Sequence, residues 1–175
     1  MAQAKSEIQS IQVADWMSSG VLAVETFDSI AVARQLMAKH RVNQLPVLDD
    51  DRLIGIVTDR DIRDAYPTSM MINHAEQIDK FAEKITVEEV MTRDIFVVQP
   101  ETPLEVAVRL LRKHRIGSLP VVKNHELVGI ITRSDILDFV LSGRGRRAGG
   151  LVSAKKSDRS ISRKGAKAQR SKKKK

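Results

Sequence analysis

Cysteine is absent from the chain, and aromatic residues are scarce. Without cysteine there can be no disulfide framework, no thiolate nucleophile and no cysteine-ligated metal, and nothing points to an oxidising compartment. Aromatic residues make up 3% of the 175 residues and hydrophobic residues 42%. The core must therefore be built from aliphatic side chains, and the length suits one domain, or two small ones, with a sizeable core.

Long apolar runs are also missing. The longest runs contain four to five residues, whereas a membrane-spanning helix needs about 20. The N-terminal segment Met1–Ser10 is polar and lacks the apolar stretch of a secretory signal. These absences predict no transmembrane segment, no secretory signal and a cytoplasmic location.

Charge is unevenly distributed along the chain. Arg144–Lys175 contains 14 Lys and Arg residues against one acid, which gives this segment a charge of +13. Met1–Gly143 contains 16 basic and 21 acidic residues, which gives −5. The basic segment has no periodic apolar residues, so we expect a disordered tail. Such a tail either solubilises the protein or binds nucleic acid nonspecifically through its phosphates.

One segment of the chain recurs 74 residues later without a gap. Val13–Asp64 and Val87–Asp138 share 19 identities in 52 positions, where background composition would give roughly 3. The two copies therefore predict two structural units of the same kind. The clearest matches pair Lys39–Arg41 with Lys113–Arg115, Leu45–Val47 with Leu119–Val121, and Gly55–Thr58 with Gly129–Thr132.

Each copy is predicted to be a mixed α/β (α+β) unit with the order β-α-β-β-α, preceded by a short helical turn. Short apolar runs bounded by polar residues predict strands. The predicted strands are Val21–Glu25, Leu45–Leu48 and Leu53–Val57 in the first copy, and Ile95–Gln99, Leu119–Val122 and Leu127–Ile131 in the second. The predicted organisation is repeat 1 (8–66), a linker with a helix (67–86), repeat 2 (87–143) and the basic tail (144–175).

The first helix of each copy has recognisable ends and one apolar face. In the second copy a capping box is predicted, with Thr102 as the N-cap, Pro103 next and Glu105 as the third helical residue. The offset makes Asp28 the N-cap of the first copy. Basic residues, which favour a helix C-terminus, place the helix ends near His40 and His114. The apolar faces are Ile30, Ala33, Leu36 and Met37, and Leu104, Ala107, Leu110 and Leu111.

Three further features complete the prediction. Pro67 is expected to stop the helix before it, and Asn73–Glu76 to cap a short helix that runs to about Lys84. Trp16 aligns with a valine of the second copy, so we expect it to serve packing.

The order and spacing of these residues resemble the CBS (cystathionine-β-synthase) repeat. An apolar strand, Leu-Pro-Val, Gly-apolar-apolar-Thr and an Asp three positions on occur twice between Val13 and about Val140. The long inter-repeat segment is similar to that of stand-alone CBS proteins of the acetoin-utilisation regulator type. The resemblance implies that the repeats pair through their sheets into a pseudo-twofold module, which forms a flat homodimer and would cover helix stripes such as Leu36-Met37 and Leu110-Leu111. Adenine nucleotides (AMP, ADP or ATP) or related adenosyl ligands would bind in clefts between the repeats.

The Thr-x-x-Asp segments that follow the glycine-containing strands have two interpretations. Thr58 and Asp61, like Thr132 and Asp135, form a capping box, which alone can explain both residue types. A helix N-terminus also suits a phosphate, and a carboxylate accepts hydrogen bonds from both hydroxyls of a ribose. Capping and ligand binding can coexist.

The resemblance also assigns the remaining site residues. Relatives line the adenine slot at the positions that are occupied here by Val21, Ile95, Val47 and Val121. They hold phosphate and ribose at the positions of the Thr and Asp residues. Some relatives have His-Arg before the Leu-Pro to hold phosphates, but Asn43-Gln44 and Gly117-Ser118 stand there in this chain. Arg60 and Arg133 then hold the phosphates, or ligands with fewer phosphates are preferred. The predicted ligand-binding residues are Val21, Val47, Thr58, Arg60, Asp61, Ile95, Val121, Thr132, Arg133 and Asp135.

No catalytic constellation is recognisable in the sequence. There is no Ser-His-Asp arrangement with supporting context, no P-loop and no Rossmann glycine pattern. The histidines lack a second ligand at a metal-binding spacing. We therefore predict a regulatory, ligand-sensing module and not an enzyme, with no cofactor and no metal. The alternative is a nucleic-acid-associated protein that uses Arg144–Lys175, with the repeats as a dimerisation scaffold.

Overall fold

The computed structural model describes residues 11–66 and 80–142. The predicted disordered tail and most of the predicted helix in the linker lie outside these residues. After a 3₁₀ turn at Val13–Asp15, the described elements are β1 (Ser18–Ser19), β2 (Val24–Glu25), α1 (Ile30–His40), β3 (Gln44–Asp49), β4 (Arg52–Thr58), α2 (Asp59–Ala65), α3 (Val87–Val90), α4 (Leu104–Lys113), β5 (Ser118–Lys123), β6 (Glu126–Thr132) and α5 (Arg133–Leu141). The predicted mixed α/β fold class is confirmed.

The starts of α1 and α4 differ from the prediction by one residue. Ser29 is the N-cap of α1 and accepts a hydrogen bond from the Val32 amide, while Pro103 is the N-cap of α4. Asp28 and Thr102 instead cap the preceding turn, because their side chains accept from the Glu25 and Gln99 amides at 2.9 Å. The predicted N-caps were therefore wrong, since short polar side chains cap turns as readily as helices.

The ends and buried faces of α1 and α4 agree with the prediction. The chain leaves each helix through an arginine in the left-handed region, Arg41 at φ 54° and Arg115 at φ 55°, directly after His40 and His114. Three of the four predicted apolar residues on each helix are buried, and the fourth is partly buried. The fully buried members are Ile30, Ala33 and Met37 on α1, and Leu104, Ala107 and Leu111 on α4.

The two central strands of each copy form a tight hairpin. β3 pairs antiparallel with β4, and β5 pairs antiparallel with β6, with a register shift at the equivalent position in both. Each two-residue turn has positive φ at both positions, 47° and 67° at Asp50 and Asp51 and 51° and 67° at Asn124 and His125. Such turns match the right-handed twist of the strands they join.

The first strand of each copy is shorter than predicted. In the first copy only β2 is regular, and it pairs parallel with β3. In the second copy the predicted strand Ile95–Gln99 is reduced to a single parallel bridge between Val98 and Val121. The residues before these short pairings are where the chain leaves one compact unit and joins the other, so they have no place in the sheet.

The compact units are not the sequence copies themselves. Residues 22–66 pack with residues 80–94 and form the first-repeat unit, and residues 95–142 pack with residues 11–21 and form the second-repeat unit. The first residues of each copy thus pack with the hairpin of the other copy. β1 pairs with β6, and Thr92 makes the equivalent bonds to Ile56 of β4, at 2.9 and 3.0 Å. We call residues 11–21 and 85–94 the leading segments.

Each unit has its own aliphatic core. In the second-repeat unit Trp16 of the leading segment is buried and its ring meets Phe139 edge-on at 5.2 Å between centroids. The expectation that Trp16 serves packing is confirmed. In the first-repeat unit the leading segment contributes Val87 and Met91 to the core. The leading segments are therefore integral parts of the units they join.

Candidate functional site

The capping interpretation of Thr58 and Asp61 is confirmed at the start of α2. The Thr58 amide and hydroxyl both donate to Asp61 Oδ2, at 2.8 and 2.7 Å. The Asp61 amide donates back to Thr58 Oγ1 at 3.2 Å. The box fixes the carboxylate of Asp61 at the point where β4 turns into the helix.

The second-repeat unit has the same box with nearly the same geometry. The Thr132 amide and hydroxyl donate to Asp135 Oδ2 at 2.8 and 2.7 Å, and the Asp135 amide donates to Thr132 Oγ1 at 3.3 Å. Asp135 is buried, with 4% of its surface exposed, whereas Asp61 is partly buried. Both boxes are bonded through Oδ2 of the aspartate.

The loop before the hairpin also contacts each helix start, a feature the sequence interpretation did not identify. The Asp59 amide donates to the Asn43 carbonyl at 2.9 Å, and the Arg133 amide donates to the Gly117 carbonyl at 3.1 Å. Together with the box, these bonds use two of the first three helical amides. The amides of Arg60 and Ser134 remain to meet an anion. These bonds use backbone carbonyls, which every residue has, so the sequence could not predict them.

The two predicted phosphate-binding arginines are held differently. Arg60 Nε lies 3.6 Å from Asp64 Oδ2, with both side chains largely exposed, so the pair is weak and the guanidinium is easily recruited. Arg133 Nε donates to the Ile116 carbonyl at 2.9 Å. That bond ties the Arg133 side chain to the loop beside the box and fixes where its charge lies.

The predicted adenine-lining residues fall into two groups. Val47 and Val121 are fully buried, at 0% exposure, in the cores of their units. Their side chains belong to the hydrophobic cores of the two units. Val21 and Ile95 are partly buried, at the two points where the chain changes unit. The structure thus brings Thr58, Arg60 and Asp61 together, and likewise Thr132, Arg133 and Asp135.

The glycines of β4 and β6 lie in close contact with the leading segments. A Cβ on Gly55 would lie 2.8 Å from both the Met91 sulfur and the Thr92 carbonyl oxygen. A Cβ on Gly129 would lie 2.5 Å from the Met17 sulfur. In both units the missing side chain makes room for the leading segment.

Two absences can be stated for residues 11–66 and 80–142. No group of three His, Asp or Glu side chains there is placed to hold a metal ion. No helix within these ranges is long and apolar enough to cross a membrane.

Comparison with solved structures places the chain among CBS pairs. It is similar to AcuB of Vibrio cholerae, assigned to acetoin utilization, with 30% identity, a TM-score of 0.63, and coverage of 75% of this chain and 91% of that one. It is similar to the CBS domain pair of protein MJ0100 in complex with 5′-methylthioadenosine and S-adenosyl-L-methionine, with 28% identity, a TM-score of 0.62, and coverage of 77% and 98%. The AMP complex of CBSX2 gives 30% identity, a TM-score of 0.61, and coverage of 75% and 97%; CBSX2 comes from Arabidopsis thaliana.

Two of the curated relatives are longer proteins. Protein MJ1232 of Methanocaldococcus jannaschii is 31% identical over 140 residues, which are 79% of this chain and 42% of that protein. The inosine-5′-monophosphate dehydrogenase of Korarchaeum cryptofilum is 32% identical over 137 residues, 78% of this chain and 25% of the enzyme. The chain thus spans less than half the length of these two relatives.

The family model of the CBS domain matches residues 13–68 and 87–142, which are the two copies of the repeat. Because this match covers more than half of the chain and agrees with the structural neighbours, the chain belongs to the CBS domain family and carries a tandem pair of CBS repeats.

Proposed function

We propose that the protein is a regulatory module that binds an adenosyl ligand at its Thr-x-x-Asp boxes. The single observation that carries the proposal is the duplicated box. In each unit it holds an aspartate and a helix N-terminus side by side, with an arginine one or two residues after the threonine. The ligand is AMP, ADP, ATP or another adenosyl compound, and its occupancy is passed to a partner.

The chemistry of each box suits the two polar parts of a nucleotide. The carboxylate of Asp61 or Asp135 accepts hydrogen bonds from the ribose hydroxyls. The amide of the second helical residue, with the positive end of the helix dipole, meets a phosphate oxygen. Arg60 or Arg133 adds a charged contact to the same group.

The structural neighbours support the adenosyl class. MJ0100 was solved with 5′-methylthioadenosine and S-adenosyl-L-methionine, and CBSX2 with AMP. These ligands share the adenosine group and differ in the substituent on the 5′ carbon. Adenosine is therefore the part that we propose this chain recognises, while the 5′ substituent decides which ligand is preferred.

Three accompanying proposals come from the sequence. The protein acts without catalysing a reaction, it functions in the cytoplasm, and it forms a homodimer. Val21, Ile95, Val47 and Val121 remain proposed neighbours of the adenine, and for the two buried valines this role falls to the backbone because their side chains belong to the cores.

Titration calorimetry with a panel of adenine compounds tests the proposed function. The panel contains AMP, ADP, ATP, S-adenosyl-L-methionine and 5′-methylthioadenosine, with GMP as the control for base recognition. We expect at least one adenosyl compound to bind the full chain and GMP to bind more weakly. If no member of the panel binds at millimolar concentration, the proposed function is wrong.

A further inference from the structure

The hydroxyl of Ser118 is a buried polar group that has no hydrogen-bond partner among the described residues. The residue is 4% exposed. Buried hydroxyls in folded proteins almost always have a partner, and one that lacks it calls for a physical explanation. A missing ligand is one such explanation, provided that the hydroxyl lies where a ligand is expected.

Ser118 lies beside the box of the second-repeat unit. It is the first residue of β5 and stands directly opposite Thr132 in the register with β6. Paired residues of an antiparallel sheet share a face, so the hydroxyl lies on the same face as the threonine that caps α5. The next residue, Leu119, belongs to the opposite face and to the core. The hydroxyl therefore points away from the core and along the side of the sheet that carries the box.

The backbone around Ser118 brings it to the N-terminus of α5. The Arg133 amide donates to the Gly117 carbonyl at 3.1 Å, and Arg133 Nε donates to the Ile116 carbonyl at 2.9 Å. The loop that precedes Ser118 is thus bonded to the first residue of a nine-residue helix. An unpaired buried donor and a helix N-terminus meet at one place.

We propose that the Ser118 hydroxyl donates to the 5′ substituent of the ligand and makes the second-repeat site selective for adenosyl ligands with at most one phosphate. This inference rests on the proposed function and names the ligand class of one of its two sites. A hydroxyl adds a hydrogen bond but no positive charge. A triphosphate brings three or four negative charges, which need cations as partners when they leave water.

The charges near Ser118 favour the same conclusion. Arg133 is the one cation of the box, and one of its donors is already bonded to the Ile116 carbonyl. The carboxylate of Asp135 is buried at 4% exposure, and a buried negative charge repels each added phosphate more strongly than an exposed one. A single phosphate, or a neutral 5′ substituent, meets the available donors without excess charge.

The first-repeat unit lacks this arrangement and supplies a matched control. The residue opposite Thr58 is Gln44, which is only partly buried. Arg60 there is exposed and forms an ion pair with exposed Asp64. The proposed selectivity therefore belongs to the second-repeat site, and Gln44→Ala should leave it unchanged.

The test compares Ser118→Ala, Ser118→Thr and Gln44→Ala in the full chain by calorimetry with AMP, ATP and 5′-methylthioadenosine. At the second-repeat site, which is identified as the site that Asp135→Asn weakens, we expect the wild type to bind AMP or 5′-methylthioadenosine more tightly than ATP. Ser118→Ala should weaken the affinity for AMP by about 3- to 10-fold, because one hydrogen bond is lost. Ser118→Thr keeps a hydroxyl and should retain most of the AMP affinity.

Thermal unfolding supplies a second readout. If the hydroxyl is unpaired in the free protein, Ser118→Ala should not lower the unliganded melting temperature, whereas it should reduce the shift caused by AMP. A lower unliganded melting temperature would show that the hydroxyl has a structural partner and would overturn the inference. So would unchanged AMP affinity in Ser118→Ala, or tighter binding of ATP at this site. Absence of all adenosyl binding in the wild type would instead overturn the proposed function, and this inference with it.

Discussion

The surroundings of Glu25 favour its protonated form. It lies at the end of β2 beside the acidic hairpin turn of the same unit. Burial raises its pKa, and Asp28, Asp51, Asp49 and Asp50 raise it further through their negative charges. The folded state therefore holds a proton on Glu25 more tightly than the unfolded state does.

The direction of the resulting pH dependence follows from linkage. Because the pKa of Glu25 is higher in the folded state, its contribution is favourable below the ordinary pKa of 4.5. That contribution is lost as the pH rises through the folded pKa. At pH 7 the ionised carboxylate opposes folding.

Glu25→Gln should therefore raise the free energy of unfolding at pH 7, and the gain should shrink towards pH 4. The second copy has glutamine at the equivalent position, Gln99, so the amide suits the local structure. Urea denaturation at several pH values measures the effect, with Glu126→Gln on the exposed end of β6 as the control for loss of one acid. A variant that is no more stable than the wild type at pH 7 would contradict this prediction.

Single residues show where sequence interpretation succeeded and where it did not. The boxes at Thr58 and Thr132 were predicted correctly because both partners of each box are present at the required spacing. Thr102 met the same rule, yet its hydroxyl accepts from the Gln99 amide and caps a turn instead. The local pattern allows both bonds, and only the path of the chain before the helix decides between them.

Among the secondary-structure elements, the leading segments depend on the two strand glycines. At Gly55 an added Cβ would meet the backbone oxygen of Thr92 at 2.8 Å, and a backbone atom cannot turn aside. At Gly129 the nearest obstacle, at 2.5 Å, is the sulfur of Met17. Methionine is flexible and can repack, so the two positions should respond differently.

Gly55→Ala should lower the free energy of unfolding by about 1–3 kcal/mol, as overpacking does, and Gly129→Ala should lower it by less. Chemical denaturation measures both. In a Met17→Ala background Gly129→Ala should lose most of its effect, whereas Met91→Ala should not rescue Gly55→Ala because the Thr92 oxygen remains. Equal effects with equal rescue would show that the leading segments are not held as described.

The exchange of leading segments could not have been predicted from the sequence. The two copies align without a gap, so Met17 and Met91 occupy equivalent positions in the two leading segments. Ser18 and Thr92, which pair with β6 and β4, are likewise equivalent and similar in chemistry. Local patterns are therefore satisfied whether each segment joins its own copy or the other. Only the connection through Val21 and Ile95, a matter of tertiary structure, distinguishes the two arrangements.

The whole molecule is predicted to be a homodimer, and the helix stripes expected to take part in it are partly buried within the units. Met37 and Leu111 are buried in the cores, so the stripes expected on α1 and α4 are largely covered within the units. Val32 on α1 and Val106 on α4 are exposed at 37% and 42%, but the most exposed large apolar residues are on α5, where Leu137, Val140 and Leu141 are 63%, 66% and 83% exposed. Their spacing places them on one side of the helix.

Replacing Leu137 and Leu141 together by glutamate should weaken self-association at least 10-fold, because a charge would have to be buried in an apolar interface. Sedimentation at tens of micromolar should give a dimer for the wild type and a monomer for the variant. The double replacement of exposed Arg109 and Arg112 by glutamine on α4 controls for altered surface polarity. A wild-type monomer at this concentration would contradict the homodimer.

The basic tail stays a sequence-based prediction, since it lies outside the described residues. If about eight of its basic groups contact phosphates of duplex DNA, the logarithm of the affinity should fall with the logarithm of salt concentration at a slope near −7. Removing residues 144–175 should abolish DNA retention and leave adenosyl binding intact. If the full chain fails to bind DNA at about 50 mM salt, where phosphate contacts are strong, the tail only solubilises the protein.

The central claim, that the duplicated boxes bind adenosyl ligands, is tested most directly by calorimetry on Asp61→Asn, Asp135→Asn and the double variant. Asparagine keeps an oxygen for the cap but loses the charge and one acceptor. The matched control is Glu89→Gln, because Glu89 forms the same box with Thr86 on α3, at 3.1 and 2.9 Å, outside the proposed sites. We expect each single variant to weaken one site by about 1–3 kcal/mol, the double variant to weaken both, and Glu89→Gln to bind as the wild type does. Unchanged ligand affinity in the double variant would show that the boxes only cap their helices and would contradict the claim.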